Sequence, residues 1–169
     1  MQLDRPQLSL VVPFRNVEPY IEACLNSILT QRFHDFEVIL IDDDSSDGSR
    51  RIAESFQARD KRFRIVTAPN NVGLGPARDL GVDAAIGDGI VFLDSDDLLA
   101  GPDALGCLVD AAERSDCNVV IGSCERLEPD GSRMEEDRHQ DRAAGGRPGT
   151  VLRGIDALLA SMKIGRAHV

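Results

Sequence analysis

Short apolar runs alternate along this sequence with segments whose apolar residues recur at helical spacing, and that alternation constrains the fold most. The runs long enough for buried strands are 8–12, 36–41, 63–67, 89–93 and 118–121. The helical patterns are 19–31, 48–58, 76–85, 102–114 and 151–162. Strands that are apolar throughout and joined by amphipathic helices predict an α/β fold, with a parallel sheet covered on both faces.

Composition narrows the class of partner. The chain has 169 residues, enough for one domain or part of one, and 42% of them are hydrophobic, enough for a sizeable core. Its formal net charge of −10 argues against nucleic acid as a partner, because nucleic-acid binding needs a basic footprint. An anionic ligand would therefore need local arginine or a metal ion to be held.

The cysteines and the N-terminal residues indicate the cellular compartment in which the protein is expected. No two cysteines form a C-x-x-C pair, so we expect small buried side chains in a reducing environment; they are Cys24, Cys107, Cys117 and Cys124. The first residues lack an apolar signal-peptide core, and no run approaches the ~20 apolar residues of a membrane span. We expect a cytoplasmic protein, with peripheral contact at the inner face of the membrane left open.

Asp94-Ser95-Asp96-Asp97 follows the run 89–93 and concentrates negative charge where that strand would leave the core. Carboxylates packed this closely raise one another's pKa unless a cation lies among them. A divalent metal is the simplest such cation, because hard cations prefer carboxylate oxygen. Strand alternation would put Asp94 and Asp96 on the same side, facing one ion or one substrate. The alternative is a solvated acidic turn with a helix N-cap.

Polar segments follow each of the first four predicted strands. They occupy 13–18, 42–48, 70–79 and 94–97 and bring Arg15 and Arg78 in among acidic residues. Ligands of open parallel sheets bind outside the carboxyl ends of the strands, where these segments would meet. The pattern therefore predicts a binding site at this edge of the sheet.

Four motifs in these segments resemble those of family 2 glycosyltransferases in order and spacing. They are Val-Val-Pro-Phe-Arg-Asn at 11–16, Ile-Asp-Asp-Asp-Ser-Ser-Asp-Gly-Ser at 41–49, Asn-Val-Gly-Leu-Gly-Pro-Ala-Arg at 71–78 and Leu-Asp-Ser-Asp-Asp at 93–97. The resemblance covers roughly 7–125. It implies the GT-A fold, an α/β domain that binds nucleotide-diphospho-sugars through a mostly parallel central sheet with helices on both faces, here incomplete at the C-terminal end.

The resemblance also implies a reaction. A sugar would move from a nucleotide-diphospho-sugar, with a UDP-sugar favoured, to a hydroxyl of a carbohydrate or lipid-linked acceptor. The transfer would be assisted by Mg²⁺ or Mn²⁺, would invert the anomeric centre, and would build a polysaccharide, glycolipid or glycan.

Individual residues gain roles from the same resemblance. Asp43 would accept a hydrogen bond from the base, typically from uracil N3–H, and Arg78 would neutralise the donor diphosphate or orient the acidic cluster. Asp96 would bind the metal, with Asp94 as a second ligand or as a contact to the ribose. The other donor-binding residues are Pro13, Phe14, Arg15, Glu18 and Ser95.

These roles have structural alternatives. Asp43 could cap the following helix, although Ser45 and Ser46 could do so instead; from the helical pattern, Ser46 or Asp47 is the expected cap. Phe14 could pack in the core, and Arg78 could form an ordinary surface ion pair. Asp97 is expected to cap a helix or to support the metal ligands from behind.

The sequence departs from the family pattern at two positions. Asp79 stands where the family usually has Asn, and Asp44 stands where it usually has Gly. Asp44 thus occupies a position suited to positive φ, a conformation that Asp tolerates better than most residues. Asp79 adds negative charge near the donor helix, so both departures bear on donor preference.

No residue matches the Asp or Glu base that would deprotonate the acceptor hydroxyl. The acidic run 135–137 lies in a polar loop and is expected to be solvated. We expect the base to be absent from this chain, so that it binds the donor without turnover. Residues 164–169 resemble the translation of a common sequencing adapter, so we expect the domain to occupy 7–163 and the last six residues to be non-native; a genuine tail is the alternative.

Three other classes of protein share single features with this sequence. A receiver domain would need a phospho-acceptor Asp after the third strand and a Lys after the fifth, and neither is present. A D-x-D phosphohydrolase would carry its motif after the first strand. A non-catalytic binding module describes the fragment even if its parent is an enzyme.

Overall fold

The computed structural model describes residues 5–115, 118–122, 126–127 and 133–134. The elements are β1 Leu8–Phe14, α1 Glu18–Leu29, β2 Phe36–Asp42, α2 Ser49–Arg59, β3 Phe63–Thr67, α3 Leu74–Ala84, β4 Gly89–Phe92, α4 Ala104–Ser115, β5 Arg126–Leu127 and β6 Arg133–Met134. The predicted alternation of strands and helices is therefore confirmed from β1 to α4. Pro19 lies in the first turn of α1, where its missing N–H costs nothing.

The first four strands form one sheet in the order β3-β2-β1-β4, and every pairing is parallel. Leu8 is in register with Phe36 of β2 on one side and with Gly89 of β4 on the other. The strand order reverses between β1 and β4, and such a switch point opens a crevice at the carboxyl edge. The sheet therefore brings the loops after β1 and β4 to the position where α/β folds bind ligands.

Apolar packing covers both faces of the central strands, and every residue of β1 and β2 is buried. On one face Val11, Ile39 and Ile41 form a cluster with Ala77 of α3. A Cβ at Gly81 would collide with Val11, so this glycine lets α3 lie directly on β1. Strand alternation turns the neighbouring β1 and β2 residues to the opposite face. The start of α3 is thereby fixed relative to the strand ends.

A buried polar network ties the connection between α3 and β4 to the sheet. The Glu37 carboxylate accepts hydrogen bonds from Ser9 Oγ at 2.6 Å, from the Ile86 amide at 2.8 Å and from Arg64 Nε at 2.9 Å. Burial alone would raise the pKa of Glu37, yet the hydrogen bonds from Arg64, Ser9 and the Ile86 amide hold that pKa below its usual range. The Gly87 amide in turn donates to Ser9 Oγ, at 2.9 Å.

Two strand predictions need correction. Residues 118–122 form no strand, and Val119 and Ile121 are exposed. β-branched composition favours extended structure, but a strand also needs a neighbour with which to pair. Within the described residues β4 lies at the edge of the sheet, and it is not fully buried, because Ile90 and Phe92 are 40% and 49% exposed.

Some finer expectations also change. The chain divides into two compact units, Met1–Leu105 and Gly106–Val169, and the second contains the antiparallel pair β5 and β6. Within α4 only Leu105 is fully buried, whereas the inward face predicted at Leu108, Val109 and Ala112 is partly buried. Cys24 is buried as expected, but Cys107 is exposed. The two other cysteines and the predicted helix at 151–162 lie outside the described residues.

Candidate functional site

The loops after β1 and β2 are joined by hydrogen bonds. Asn16 adopts a φ of 52°, and its Oδ1 accepts from the Ser46 amide at 2.8 Å. Ser49 Oγ accepts from the Val17 amide at 2.8 Å. Asparagine tolerates positive φ better than most residues, so its amide can reach the neighbouring loop. These hydrogen bonds join the loops after β1 and β2 along one side of the site.

Glu18 also links the loops after β1 and β2. Its Oε2 accepts from the Gly48 amide at 2.9 Å, and its own amide donates to Asp47 Oδ2 at 3.0 Å. A Cβ at Gly48 would collide with the Glu18 carboxylate. The family resemblance predicts Glu18 in the base and ribose pocket. In the structure its carboxylate instead holds the loop after β2, by accepting from the Gly48 amide.

The cap of α2 differs from the predicted one. Gly48 is the N-cap residue and offers no side chain, while Asp47 Oδ1 accepts from the Ser49 amide at 2.9 Å. Hydrogen bonds led by the Ser49 side chain hold the pKa of Asp47 below its usual range. Asp47 thus supports the start of α2, whereas Ser46 bonds to Asn16 instead.

Asp43 is 5% exposed and reaches from the end of β2 into the loop after β3. Its Oδ1 accepts from the Val72 amide at 2.7 Å, and its Oδ2 accepts from the Gly73 amide at 2.9 Å. Gly73, with a φ of 85°, is the N-cap residue of α3. The carboxylate therefore ties down the entry to α3, and capping α2 is not its role. Asp44 has a φ of 66°, which confirms the predicted use of positive φ at that position.

Asp42 is neutralised separately. Its Oδ2 lies 2.9 Å from Arg50 Nη1, and its Oδ1 accepts from the Ser45 amide at 3.0 Å. Asp42 leads the interactions that raise the pKa of Arg50 above its usual range. Arg50 also donates to Thr67 Oγ1 at 2.9 Å. The sequence did not single out Arg50, and this ion pair leaves Asp43 as the acid that turns toward the loop after β3.

Asn71 links Arg15 to Asp43. In the amide orientation that satisfies both neighbours, Asn71 Nδ2 donates to Asp43 Oδ2 at 3.1 Å and Asn71 Oδ1 accepts from Arg15 Nη1 at 2.8 Å. Pro13 and Phe14 are buried, and Phe14 is only 2% exposed, as core packing requires. The sequence singled out Arg15 and Asp43 but missed the amide between them.

An ion pair connects Arg78, in the first half of α3, with Asp94, in the segment that follows β4. Arg78 Nη2 lies 2.6 Å from Asp94 Oδ1, and the guanidinium carbon lies 5.8 Å from the centre of the Phe92 ring. The buried Nε of Arg78 has no hydrogen-bond partner among the described residues. The side chain thus orients the acidic segment, which is one of its two predicted roles.

The acidic segment is a turn and not a continuation of β4. The strand ends at Phe92, and the Asp97 amide donates to the Asp94 carbonyl at 3.0 Å. Strand alternation therefore does not relate Asp94 to Asp96, and that prediction is wrong. Ser95 is buried and Asp96 is exposed. Because α4 begins only at Ala104, Asp97 does not cap it.

Negative charge accumulates around this turn. Partial desolvation, followed by the charges of Asp96 and Asp94, raises the pKa of Asp97 above its usual range. The thiol of Cys24 donates to the Asp94 carbonyl at 3.7 Å. Burial raises the pKa of Cys24 to about 12, and the carboxylates of the turn reinforce this effect. The turn therefore has an excess of negative charge that Arg78 offsets only at Asp94.

The chemistry of these donors fits a magnesium or manganese ion that is completed by substrate. Across the parts of the chain that the structure describes, no three His, Cys, Asp or Glu side chains form a metal-binding group. Mg²⁺, however, is usually held by one or two carboxylates together with substrate phosphates and water. Asp96 and Asp94 can supply such a partial set.

None of the helices within the described residues is both long enough and apolar enough to cross a bilayer.

The sequence and fold now define the class. The chain belongs to glycosyl transferase family 2, whose family model matches residues 9–160. It is 40% identical over 115 residues to the uncharacterized glycosyltransferase EpsJ of Bacillus subtilis, covering 68% of this chain and 33% of that relative. It is 35% identical over 133 residues to the GalNAc(5)-diNAcBac-PP-undecaprenol beta-1,3-glucosyltransferase of Campylobacter jejuni, covering 78% of this chain and 42% of that relative.

Solved structures share the fold. S. aureus TarS 1–349 in complex with UDP-GlcNAc matches with a TM-score of 0.59 and 30% identity, over 64% of this chain and 31% of that one. The mannosyltransferase PcManGT of Pyrobaculum calidifontis, in complex with GDP-Man and Mn²⁺, matches with a TM-score of 0.58 and 27% identity, over 62% and 32%. The predicted GT-A fold and glycosyltransferase family are confirmed, and the chain spans a minor part of each protein it matches.

Proposed function

We propose that this chain carries the donor-binding part of a glycosyltransferase that moves a sugar from a nucleotide-diphospho-sugar to an acceptor hydroxyl. The observation that carries the proposal is the ion pair between Arg78 and Asp94, at 2.6 Å, which joins the start of α3 to the acidic turn. A helix N-terminus favours anions, and the arginine adds a full positive charge there. A diphosphate is the ligand that this arrangement of charge suits.

Asp43 recognises the base. One lone pair of its Oδ1 remains open after the contacts to the Val72 and Gly73 amides and to Asn71, so it can accept one further hydrogen bond. A uracil N3–H is the predicted donor. The TarS complex with UDP-GlcNAc supports a uridine donor, whereas the PcManGT complex contains a guanosine donor. Pro13 and Phe14 provide the floor beneath this contact.

Asp96 and Asp94 are the residues that would hold Mg²⁺ or Mn²⁺ in this site. When bound, the ion supplies positive charge that stabilises the departing nucleoside diphosphate. Arg78 positions the Asp94 carboxylate and shields part of the negative charge of the turn. Ser95 is buried between these acids and fixes their spacing. The Mn²⁺ in the PcManGT structure supports the choice of ion.

The rest of the reaction lies beyond the donor site. Inversion requires a base beside the acceptor hydroxyl, and no such base has been assigned within this chain. The Campylobacter relative is a glucosyltransferase of an undecaprenol-linked sugar, which supports a carbohydrate or lipid-linked acceptor and contact with the inner face of a membrane. The domain bounds 7–163 and the non-native origin of 164–169 stay predictions, since residues 135–169 lie outside the described part.

Calorimetric titration with UDP tests the donor site. We expect the 169-residue chain to bind UDP in the presence of Mn²⁺ and to lose at least about tenfold in affinity when Asp96→Ala removes a metal ligand. Asp88→Ala is the matched control, because it makes the same charge change just before β4, at the opposite edge of the sheet. Equal UDP affinity for the two variants, or no binding with Mn²⁺, would contradict the proposal.

A second candidate follows from the length of the chain. It spans 33% of EpsJ and 42% of the Campylobacter relative, and the alternative proposal is that these 169 residues by themselves act as a donor-binding module. We expect donor binding without sugar transfer. Detection of transferred sugar with the 169-residue chain would exclude this candidate.

A further inference from the structure

The Asp43 carboxylate is nearly saturated by the protein itself. A carboxylate offers about four lone-pair positions. The Val72 amide fills one on Oδ1, and the Gly73 amide and Asn71 Nδ2 fill both on Oδ2. Only one position on Oδ1 is left for a ligand. The number and place of open acceptors at Asp43 are therefore set by Asn71.

Asn71 also fixes a cation at the same place. Its Oδ1 accepts from Arg15 Nη1 at 2.8 Å, although the Arg15 side chain is exposed. An exposed arginine normally samples many rotamers, and a hydrogen bond that fixes one of them orders its remaining N–H donors. Through a single amide, the chain thus presents one open acceptor on Asp43 and a group of donors on Arg15.

We propose that Asn71 is a positioning residue that sets base selectivity, because its amide nitrogen closes Oδ2 of Asp43 and its amide oxygen holds the guanidinium of Arg15. This inference rests on the proposed function and deepens it from a nucleotide site to a site for an imide pyrimidine. Uracil presents a ring N–H flanked by carbonyl oxygens. The N–H matches the open position on Asp43, and a flanking carbonyl matches the donors of Arg15.

Cytosine does not match these hydrogen-bonding groups while Asn71 is in place. With the ribose held in the same position, its ring nitrogen at position 3 faces the carboxylate with a lone pair, so the two repel. A shifted base could instead offer its amino group to Oδ2, but Asn71 and the Gly73 amide already occupy that oxygen. Removing the Asn71 amide opens Oδ2, releases Arg15 and makes the shifted pose available.

The experiment compares UDP with CDP in the 169-residue chain, by calorimetric titration in the presence of Mn²⁺. We expect the unmodified chain to prefer UDP by about tenfold or more, as one well-made hydrogen bond and one avoided repulsion allow. Asn71→Leu, which is similar in shape but cannot form hydrogen bonds, should reduce that preference to about twofold. The neighbouring Asn70→Leu is the matched control and should keep the full preference.

Two further variants separate positioning from a loss of folding. Asn71→Asp keeps an acceptor for Arg15 but places an oxygen against Asp43, so it should lower UDP affinity more than Asn71→Leu does. Arg15→Met leaves Oδ2 closed and should weaken UDP binding while cytosine remains excluded. Circular dichroism checks that each variant is folded, and the UDP-to-CDP ratio is a quantity that a merely structural role would not change.

The outcomes distinguish the two levels of the proposal. If the unmodified chain does not bind UDP with Mn²⁺, the proposed donor site itself is wrong. If it binds UDP and prefers it over CDP, but folded Asn71→Leu keeps that preference, the donor site stands and the role of Asn71 is overturned. A preference that falls in Asn71→Leu and not in Asn70→Leu supports the inference.

Discussion

Arg78 Nη2 lies 2.6 Å from Asp94 Oδ1, and this contact connects the first turns of α3 with the acidic turn after β4. The two side chains are 35% and 42% exposed, so the pair adds little to stability, by about 1 kcal/mol at most. Its value lies in placement, because it holds the Arg78 guanidinium beside a carboxylate that we propose as a metal ligand. The buried Nε of Arg78 has no hydrogen-bond partner within the described residues.

Replacing Arg78 by lysine separates placement from stability. Lysine keeps the charge but loses the planar fork, so UDP affinity in the presence of Mn²⁺ should fall about tenfold, while the free energy of unfolding changes by less than about 1 kcal/mol. Titration calorimetry and urea unfolding measure the two quantities. Arg59→Lys is the control, since Arg59 also lies over a phenylalanine ring, 5.3 Å from the centre of Phe56, but is outside the site. Equal UDP affinity in both variants would refute the role of Arg78.

Asp43→Asn should destabilise the protein through the loop after β3. An amide has only one acceptor oxygen, so either the Val72 or the Gly73 amide loses its partner in a site that is 5% exposed. An unsatisfied buried N–H costs about 1–3 kcal/mol, which urea unfolding would detect. Asp44→Asn is the matched control, because asparagine accepts its φ of 66° and the change should stay within about 0.5 kcal/mol. If the two variants unfold at the same urea concentration, Asp43 does not hold the loop.

Glu37 should make stability depend on acidic pH. Its pKa in the folded state is held below the ordinary value of 4.5, so the folded protein binds fewer protons here than the unfolded chain does. The stabilisation is therefore complete above that ordinary value and is lost as the pH falls below it and through the lowered pKa. Urea unfolding between pH 7 and about pH 3 measures the slope, which should be shallower for Glu37→Gln. The exposed Glu54→Gln should leave the slope unchanged, and an unchanged slope in Glu37→Gln would contradict the account.

The exposed face of β4 should limit solubility. Ile90 and Phe92 are 40% and 49% exposed on β4, which has a paired neighbour on one side only in the described part of the chain. An open strand edge with exposed apolar side chains favours association. Ile90→Thr should raise the concentration at which light scattering begins, with little change in the midpoint of thermal unfolding. Tyr20→Thr is the control, because Tyr20 is 56% exposed on α1, away from the strand edge. An equal effect of the two substitutions would show that the β4 face is not responsible.

The sequence predicts those parts of the fold that depend on local pattern. The apolar runs of β1 and β2 are unambiguous because both strands are buried on both faces, and the positive φ of Asp44 follows from the residue type that the family has there. The strand expected at 118–121 fails because pairing partners are not a local property. The alternation of Asp94 and Asp96 fails because β4 ends at Phe92, and the sequence gives no sign of where a strand turns.

The site is predicted less completely than the fold. The sequence singles out Asp43, Arg78 and Asp94 and predicts that Arg78 could orient the acidic segment, but it does not identify the partners of Asp43. Asn71 and Arg50 become important only because separate loops meet at the carboxyl edge, and both contact residues that are distant in sequence. An asparagine followed by Val-Gly at the start of a helix carries one weak signal, that of a turn with available amides.

The most direct test of the central claim is the affinity of the chain for Mn²⁺ with and without UDP. If Asp96 and Asp94 form a partial metal site that a diphosphate completes, UDP should tighten Mn²⁺ binding about tenfold or more, and Mn²⁺ should tighten UDP binding by the same factor. Titration of Mn²⁺ followed by its paramagnetic resonance signal measures the free ion in both states. Equal Mn²⁺ affinity with and without saturating UDP would contradict a shared donor and metal site.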